Sequence, residues 1–312
     1  MRFFGDITQP LIEVFKDSRI DICEKLDVYA DFSKHFGVDE SRFNVLILKE
    51  PQSVLPHQYS KKLLDKFNIV LPFGKTRAQR LGLQEYLLSP YDPPEMRTSP
   101  FSDRGIRIAM INSNRISASK QSNYSLRREV AHKLSEKPFG FKLFGTDWDR
   151  GYKWRIAKGL IAFRDVLTAR QIPDLQETLS GILKTPRRLE GFIDDKFEIL
   201  RNAEISVVIE NESDYVSEKV FDSLIAGAIP VYVGPKFPPE LIFLEELIFR
   251  GEHNAESVLD VIQNLTQERL YTRRLNLDKL SLSCNEWSGF SSQAVWRRAL
   301  EIIEKERNGR IK

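Results

Sequence analysis

The sequence predicts an α/β protein of two units, each a parallel β-sheet with helices on both faces, meeting at a cleft. Three observations lead there. The chain has 312 residues, about twice the roughly 150 of an ordinary domain. Short apolar runs alternate with helical stretches on both sides of a break. The break, residues 89–104 (SPYDPPEMRTSPFSDR), holds four prolines. Each fixes φ and removes a donor, so this stretch predicts a linker. The expected units are residues 1–100 and 105–290, with a closing helical segment at 291–312.

Element by element, Val45–Lys49 (VLILK) is a buried-type strand that runs into Glu50-Pro51. A helix is expected near Gln58–Phe67, then a strand at Ile69–Phe73. After the break, Ile106–Ile111 and Gly140–Phe144 read as strands and Ser125–Leu134 as a helix. Asp195–Leu200 reads as a short helix, Ile205–Glu210 as a strand and Ser217–Ala226 as a helix closed by Gly227. Ile229–Val233 is a strand closed by Gly234, and Ala294–Lys305 is a helix. Such a βαβ rhythm calls for parallel strands, with ligands beyond their carboxyl ends.

Composition narrows the function classes. Hydrophobic residues make up 41% and charged residues 29%, which excludes a disordered chain. Lys and Arg number 47 against 44 Asp and Glu, too balanced for a nucleic-acid binder. Cys23 and Cys284 stand alone and far apart, so no disulfide framework or thiolate zinc site is written in. No run reaches the roughly 18 to 20 apolar residues of a membrane span. The start, MRFFGDITQPLIEVF, lacks a signal-type apolar core, so the chain reads as soluble and unexported.

The segment from Ile205 to Gly234 carries the most chemistry. Ser217 is a good N-cap, Glu218 suits the positive end of a helix, and Val220, Phe221, Leu224 and Ile225 make one apolar stripe. Lys219 sits in the first turn, where the helix dipole disfavours a cation by a few tenths of a kcal/mol. Two readings stay open: a solvated lysine paired with a nearby acid, or a lysine gathered with free N–H groups around an anion.

This stretch, ENESDYVSEKVFDSLIAGAIPVYVG, resembles the signature of the α1,3/4-fucosyltransferases. Glu210, Asn211 and then Asp214 through Lys219 match it, as do Gly227, Ile229, Pro230, Val231 and Gly234. Ser217 stands where Thr is commoner, and the loop from Asn211 to Tyr215 is shorter than in many members. Outward, Ser113-Asn114 and Arg127 with Leu134 seven residues on fit the family's strand, loop and helix-opening Arg. Arg128 competes with Arg127, which the register favours. LKEP at Leu48–Pro51 is the best counterpart of an acidic residue before Pro. The resemblance covers about residues 104–270 well.

The resemblance implies the GT-B arrangement, two Rossmann-like domains with the donor in the second and a C-terminal helix packed back on the first. It implies an inverting transfer of fucose from GDP-fucose to a glycan or glycolipid hydroxyl, in α1,3 or α1,4 linkage, with no metal or other cofactor. Arg127 and Lys219 would neutralise the diphosphate; Asn211, Tyr215, Ser217 and Glu218 would line the donor pocket; Glu50 would be the general base. From the residues alone, Glu50 reads first as an exposed loop acid. The implied member is of the bacterial type, cytoplasmic, with at most weak contact to the inner membrane surface through the basic tail EKERNGRIK. Two alternatives stand beside this: the same fold with another nucleotide sugar, or an idle nucleotide-sugar or glycan binder.

Other patterns are weaker. Asp147-Trp148-Asp149 is a D-x-D, able in principle to hold Mg²⁺ or Mn²⁺ with a diphosphate, but its strand already has a place in the resemblance. Gly74-Lys75-Thr76 looks like the end of a phosphate-binding loop, yet Ile69 stands where the first glycine belongs. No dinucleotide or serine-hydrolase motif occurs, and the four histidines (His35, His57, His132, His253) lack ligand spacing.

Overall fold

The structure, a computed structural model, describes residues 1–17, 25–33, 35–92, 103–184, 189–191, 193–281 and 289–310. Cys23, Cys284 and residues 93–102 of the proline-rich stretch lie outside the described residues. So do 311 and 312 and the side chains of 308–310 in the basic tail.

Two all-parallel sheets are present. The first joins β1 (Arg2–Gly5), β2 (Leu26–Ala30), β3 (Phe43–Leu48) and β4 (Ile69–Pro72) in that order. Helix α1 (Gln9–Asp17) follows β1, and the short α2 (Lys61–Leu64) and α3 (Lys75–Arg80) flank β4. Neither β1 nor β2 announces itself as an apolar run: β1 holds only Phe3 and Phe4 between Arg2 and Gly5, and Asp27 interrupts β2. Its carboxylate is buried, accepting from Arg2 Nε at 2.9 Å and Arg42 Nε at 2.8 Å. Burial pushes that carboxyl up, and the two guanidiniums hold it below the ordinary aspartate value. The helix expected over Gln58–Phe67 is instead a 3₁₀ turn at Pro56–Tyr59 and the single turn of α2. Ser60 between them is extended (φ −74°, ψ 129°), which interrupts the helical hydrogen bonds.

The second sheet contains β5 (Ile106–Ile111), β6 (Phe141–Phe144), β7 (Ala203–Ile209), β8 (Ile229–Val233) and β9 (Phe249–Arg250), in the order β6-β5-β7-β8-β9. Central β7 and β8 are almost wholly buried, hence their unbroken apolar sequences. Around the sheet pack α4 (Tyr124–Ser135), α5 (Tyr152–Thr168), α6 (Leu175–Leu183), α7 (Lys196–Arg201), α8 (Glu218–Ile225), α9 (Ala255–Gln263) and α10 (Gln267–Ser281). The last helix, α11 (Ser292–Arg310), lies against α1 in the first unit. Its Trp296 packs on Phe73 with ring centroids 6.1 Å apart, and Arg298 reaches Glu85 at 3.4 Å.

A buried polar seam joins the two units. Arg77 of α3 is fully buried; its Nη2 donates to Asp214 Oδ1 at 3.1 Å and its guanidinium lies 4.3 Å over the Tyr215 ring. Arg80 Nη2 donates to Asp214 Oδ2 at 2.6 Å, and the Ser53 amide donates to Glu212. Close approach here depends on Gly74 (φ +94°). A Cβ on it would lie 2.6 Å from the Asp214 carbonyl oxygen, and that φ is strained for any other residue. The Gly74-Lys75-Thr76 run is thus a place where two backbones meet.

Candidate active site

A cavity of about 670 Å³ opens at the carboxyl ends of β5, β6 and β7, within the range of small-molecule sites. Here the strand order diverges, β6 leaving β5 on one side and β7 on the other. Such a switch point leaves a crevice between the loops of neighbouring strands. The floor comes from the second unit, and Glu50 contributes from the first.

Helix α8 builds one wall. Ser217 caps it, its Oγ accepting from the Lys219 amide at 3.4 Å. Ser217 is fixed in turn by Glu210, which ends β7: the carboxylate accepts from the Ser217 amide at 2.9 Å and from its hydroxyl at 2.5 Å. Burial pushes the Glu210 carboxyl up, while Lys219 and the Ser217 bonds pull it down. Lys219 Nζ lies 3.1 Å from Ser217 Oγ and 3.5 Å from Glu218 Oε1, so the ammonium folds toward the helix start and lines the cavity. Glu218 lines it too. Lost hydration pushes its carboxyl up, but Lys219, its own backbone and Lys196 hold it below the ordinary glutamate value.

Helix α4 builds the opposite wall. Arg127 is buried, and burial lowers its pKa; its Nε and Nη2 donate to the Ile209 carbonyl, and Nη2 also reaches Asn211 Oδ1 at 2.7 Å. Nη1 has no hydrogen-bond partner among the described residues, and the residue lines the cavity. Its neighbour Arg128 is absorbed elsewhere, bonding Glu177 at 3.2 Å and the Arg115 carbonyl at 2.9 Å. Asn211 completes a short relay, its amide nitrogen donating to the Tyr215 hydroxyl at 3.2 Å.

Glu50 is held by its backbone. The Asp31 carboxylate accepts from the Lys49 amide at 3.1 Å and the Glu50 amide at 3.0 Å, and the Tyr59 hydroxyl donates to the Glu50 carbonyl at 2.7 Å. The carboxylate of Glu50 makes no hydrogen bond among the described residues. Burial pushes it above the ordinary glutamate value, with Asp31 and Glu218 adding to the rise and Arg115 and Lys219 opposing it. The carboxylate therefore lies within electrostatic reach of the cations of the second unit.

Five of the seven residues singled out from sequence line this cavity: Glu50, Arg127, Asn211, Glu218 and Lys219. Tyr215 and Ser217 do not; both are buried behind it, as a relay and a cap. Tyr215 instead lines a smaller cavity of about 200 Å³, walled largely by Phe221, Phe237, Phe290 and prolines. Asp147 and Asp149 lie outside the larger cavity, Asp147 pairing with Arg150 at 3.2 Å. Among the described residues, no three His, Cys, Asp or Glu side chains form a metal-holding group. Two contributors were not visible in the sequence. Arg115, two residues past Ser113 at the end of β5, is exposed, lines the cavity and has no side-chain partner among the described residues. Its position at a switch-point strand end was the available signal. Asp31 works through amides of another loop, which no local pattern reveals.

No protein-family model matches the chain. A stretch of 43 residues is 54% identical to a protein of Arabidopsis thaliana described as fucosyltransferase-like, covering 13% of this chain and 8% of that protein. Three solved structures resemble it over nearly its whole length. They are TarM (TM-score 0.50, 13% identity, 89% of this chain and 54% of TarM), Anabaena HepE with UDP and glucose (0.52, 10%, 90% and 78%), and a trehalose-6-phosphate synthase (0.53, 12%, 90% and 73%). The chain spans only about half of TarM, and identities this low speak to the fold alone. With two parallel sheets, a cleft and these neighbours, the chain has the GT-B glycosyltransferase fold.

Proposed function

We propose that this protein is an inverting glycosyltransferase that moves fucose from GDP-fucose to a hydroxyl of a glycan acceptor, in α1,3 or α1,4 linkage. The observation that carries the reading is the pairing across the cleft: cations and a capped helix start on one side, one unpartnered carboxylate on the other. Arg115, Lys219 and the α8 amides would meet the diphosphate, whose charge grows as the bond to the sugar breaks. Groups already aimed at that charge stabilise the transition state more than the ground state. Arg127 would offer Nη1 while its remaining edge fixes Asn211.

On the acceptor side, the Glu50 carboxylate would take the hydroxyl proton as the oxygen attacks the anomeric carbon, and GDP leaves from the opposite face. A carboxylate raised above its ordinary pKa is the stronger base. The trehalose-6-phosphate synthase structure concerns transfer with retention, so the stereochemical outcome is read from the product and not from the fold. Side chains supply the charge that a divalent ion would bring, and activity is expected to persist in excess EDTA.

The choice of GDP-fucose rests on the resemblance of the Ile205–Gly234 segment to the fucosyltransferase signature and on the short match to a protein described as fucosyltransferase-like, whereas HepE was solved with UDP. Thermal unfolding in the presence of each nucleotide separates the two, since a ligand stabilises by RT ln(1 + [L]/Kd). GDP should raise Tm more than UDP at equal concentration, and incubation with labelled GDP-fucose and a glycan panel should yield an inverted product. A larger shift with UDP would remove the guanosine assignment while leaving the glycosyltransferase reading in place.

A further inference from the structure

Helices α5 and α6 present an apolar, basic surface that lies away from the cavity. Leu160, Ile161 and Leu167 on α5 and Leu175, Leu179 and Leu183 on α6 are 42–66% exposed, and Ile172 between the helices is 75% exposed. The three leucines of α6 recur every fourth residue and form one stripe. The other side of α6 is docked through Glu177, Thr178 and Gly181. The two helices lie close together: a Cβ on Gly159 of α5 would sit 2.8 Å from Ile182. Single exposed leucines are ordinary, but this many in one helical pair mark an interaction surface.

Charge selects the partner. Lys153, Lys158, Arg164, Arg170 and Lys184 are exposed around the stripe. The acids are engaged: Glu177 is buried against Arg128, Asp174 caps α6, and Asp165 pairs with Arg164 at 3.3 Å. Trp154 lies between Arg150 at 5.8 Å and Lys158 at 5.6 Å, a grouping of aromatic ring and cations suited to a headgroup boundary. No described helix is long and apolar enough to cross a membrane. We propose that the α5–α6 pair is a peripheral docking surface for an anionic bilayer, its leucines entering the acyl boundary and its lysines and arginines meeting the headgroups. A second copy fits less well, because a two-fold contact would set the basic rim against itself. Helix α5 also packs on the Pro56–Tyr59 turn of the first unit.

Flotation of the full chain with phosphatidylcholine–phosphatidylglycerol vesicles, against pure phosphatidylcholine, tests this without reference to any sugar donor. The expected result is binding to the anionic vesicles only, weakened by salt and reduced at least about tenfold in Leu175→Glu/Leu179→Glu with its unfolding curve unchanged. Should that variant misfold, Lys153→Glu/Lys158→Glu must show the same loss. No anionic binding, or binding that the folded variants retain, overturns the proposal. Dimers in sedimentation without vesicle binding, abolished by the leucine changes, overturn it in favour of self-association.

Discussion

The two walls of the cleft are built by opposite means. On the α8 side the side chains are bonded to one another: Glu210 holds Ser217, Ser217 caps the helix and meets Lys219, and Asn211 links Arg127 to Tyr215. On the Glu50 side only the backbone is held, by Asp31 and Tyr59, and the carboxylate is left without a partner. Charge that must stay in one place is clamped through its own atoms. Glu50, proposed to accept a proton, keeps its oxygens free and is placed through the chain behind it.

The sharpest way to break this contrast is Glu50→Gln. It should lower kcat by about 10²–10⁴ while GDP-induced stabilisation remains, as steady-state kinetics and thermal shift would report. Full activity in this variant would place the base elsewhere. Because the carboxylate must be ionised, kcat/KM should fall as pH drops through its raised pKa, starting above the range of an ordinary glutamate. Next in size, Lys219→Ala should lower kcat/KM by about 10²–10³, and Arg115→Ala should act in the same direction. Arg127→Ala differs in kind, since it strips the buried Ile209 carbonyl and Asn211 of their donor. A stability loss of about 2–3 kcal/mol in urea titration is expected beside the loss of activity.

How much of this was legible follows from where the information sits. Strands β7 and β8 were readable because both faces are covered and their sequences are largely apolar, and β5 and β6 because only one cation, Arg107 or Lys142, interrupts each apolar run. By contrast, β2 was hidden by Asp27, whose charge is balanced by arginines of two other segments. Lys219 stood out as a cation at the wrong end of a dipole. Arg115 and Asp31 did not, because each acquires its role only when distant loops converge.

Smaller effects test the seam. Gly74→Ala adds a Cβ 2.6 Å from the Asp214 carbonyl at a positive φ, and should cost about 1–3 kcal/mol in unfolding. Glu212 has a carboxyl pushed up to about 7 by burial, with Asp214 adding to the rise and Arg77 opposing it. The folded chain therefore holds a proton that the unfolded chain releases, so this group's stabilising contribution is present at low pH and fades as pH rises from about 4.5 to about 7. The Tm difference between wild type and Glu212→Gln, followed across that window, should shift against the wild type as pH increases. A difference independent of pH would count against the proton.

The loop from Asn211 to Tyr215 serves both units by turns. Asn211 and Tyr215 bond each other within the second unit, whereas Glu212 and Asp214 reach across to Ser53, Arg77 and Arg80. Glu212 and Asp214 thus bind the first unit, while Tyr215 serves both, its hydroxyl meeting Asn211 and its ring lying under Arg77. An inserted residue would hand each side chain beyond it to the wrong neighbour, even with every chemical group retained. Length is as much a part of this loop's specification as sequence, because within five residues the chain both grips the first unit and reaches the wall that would hold the diphosphate.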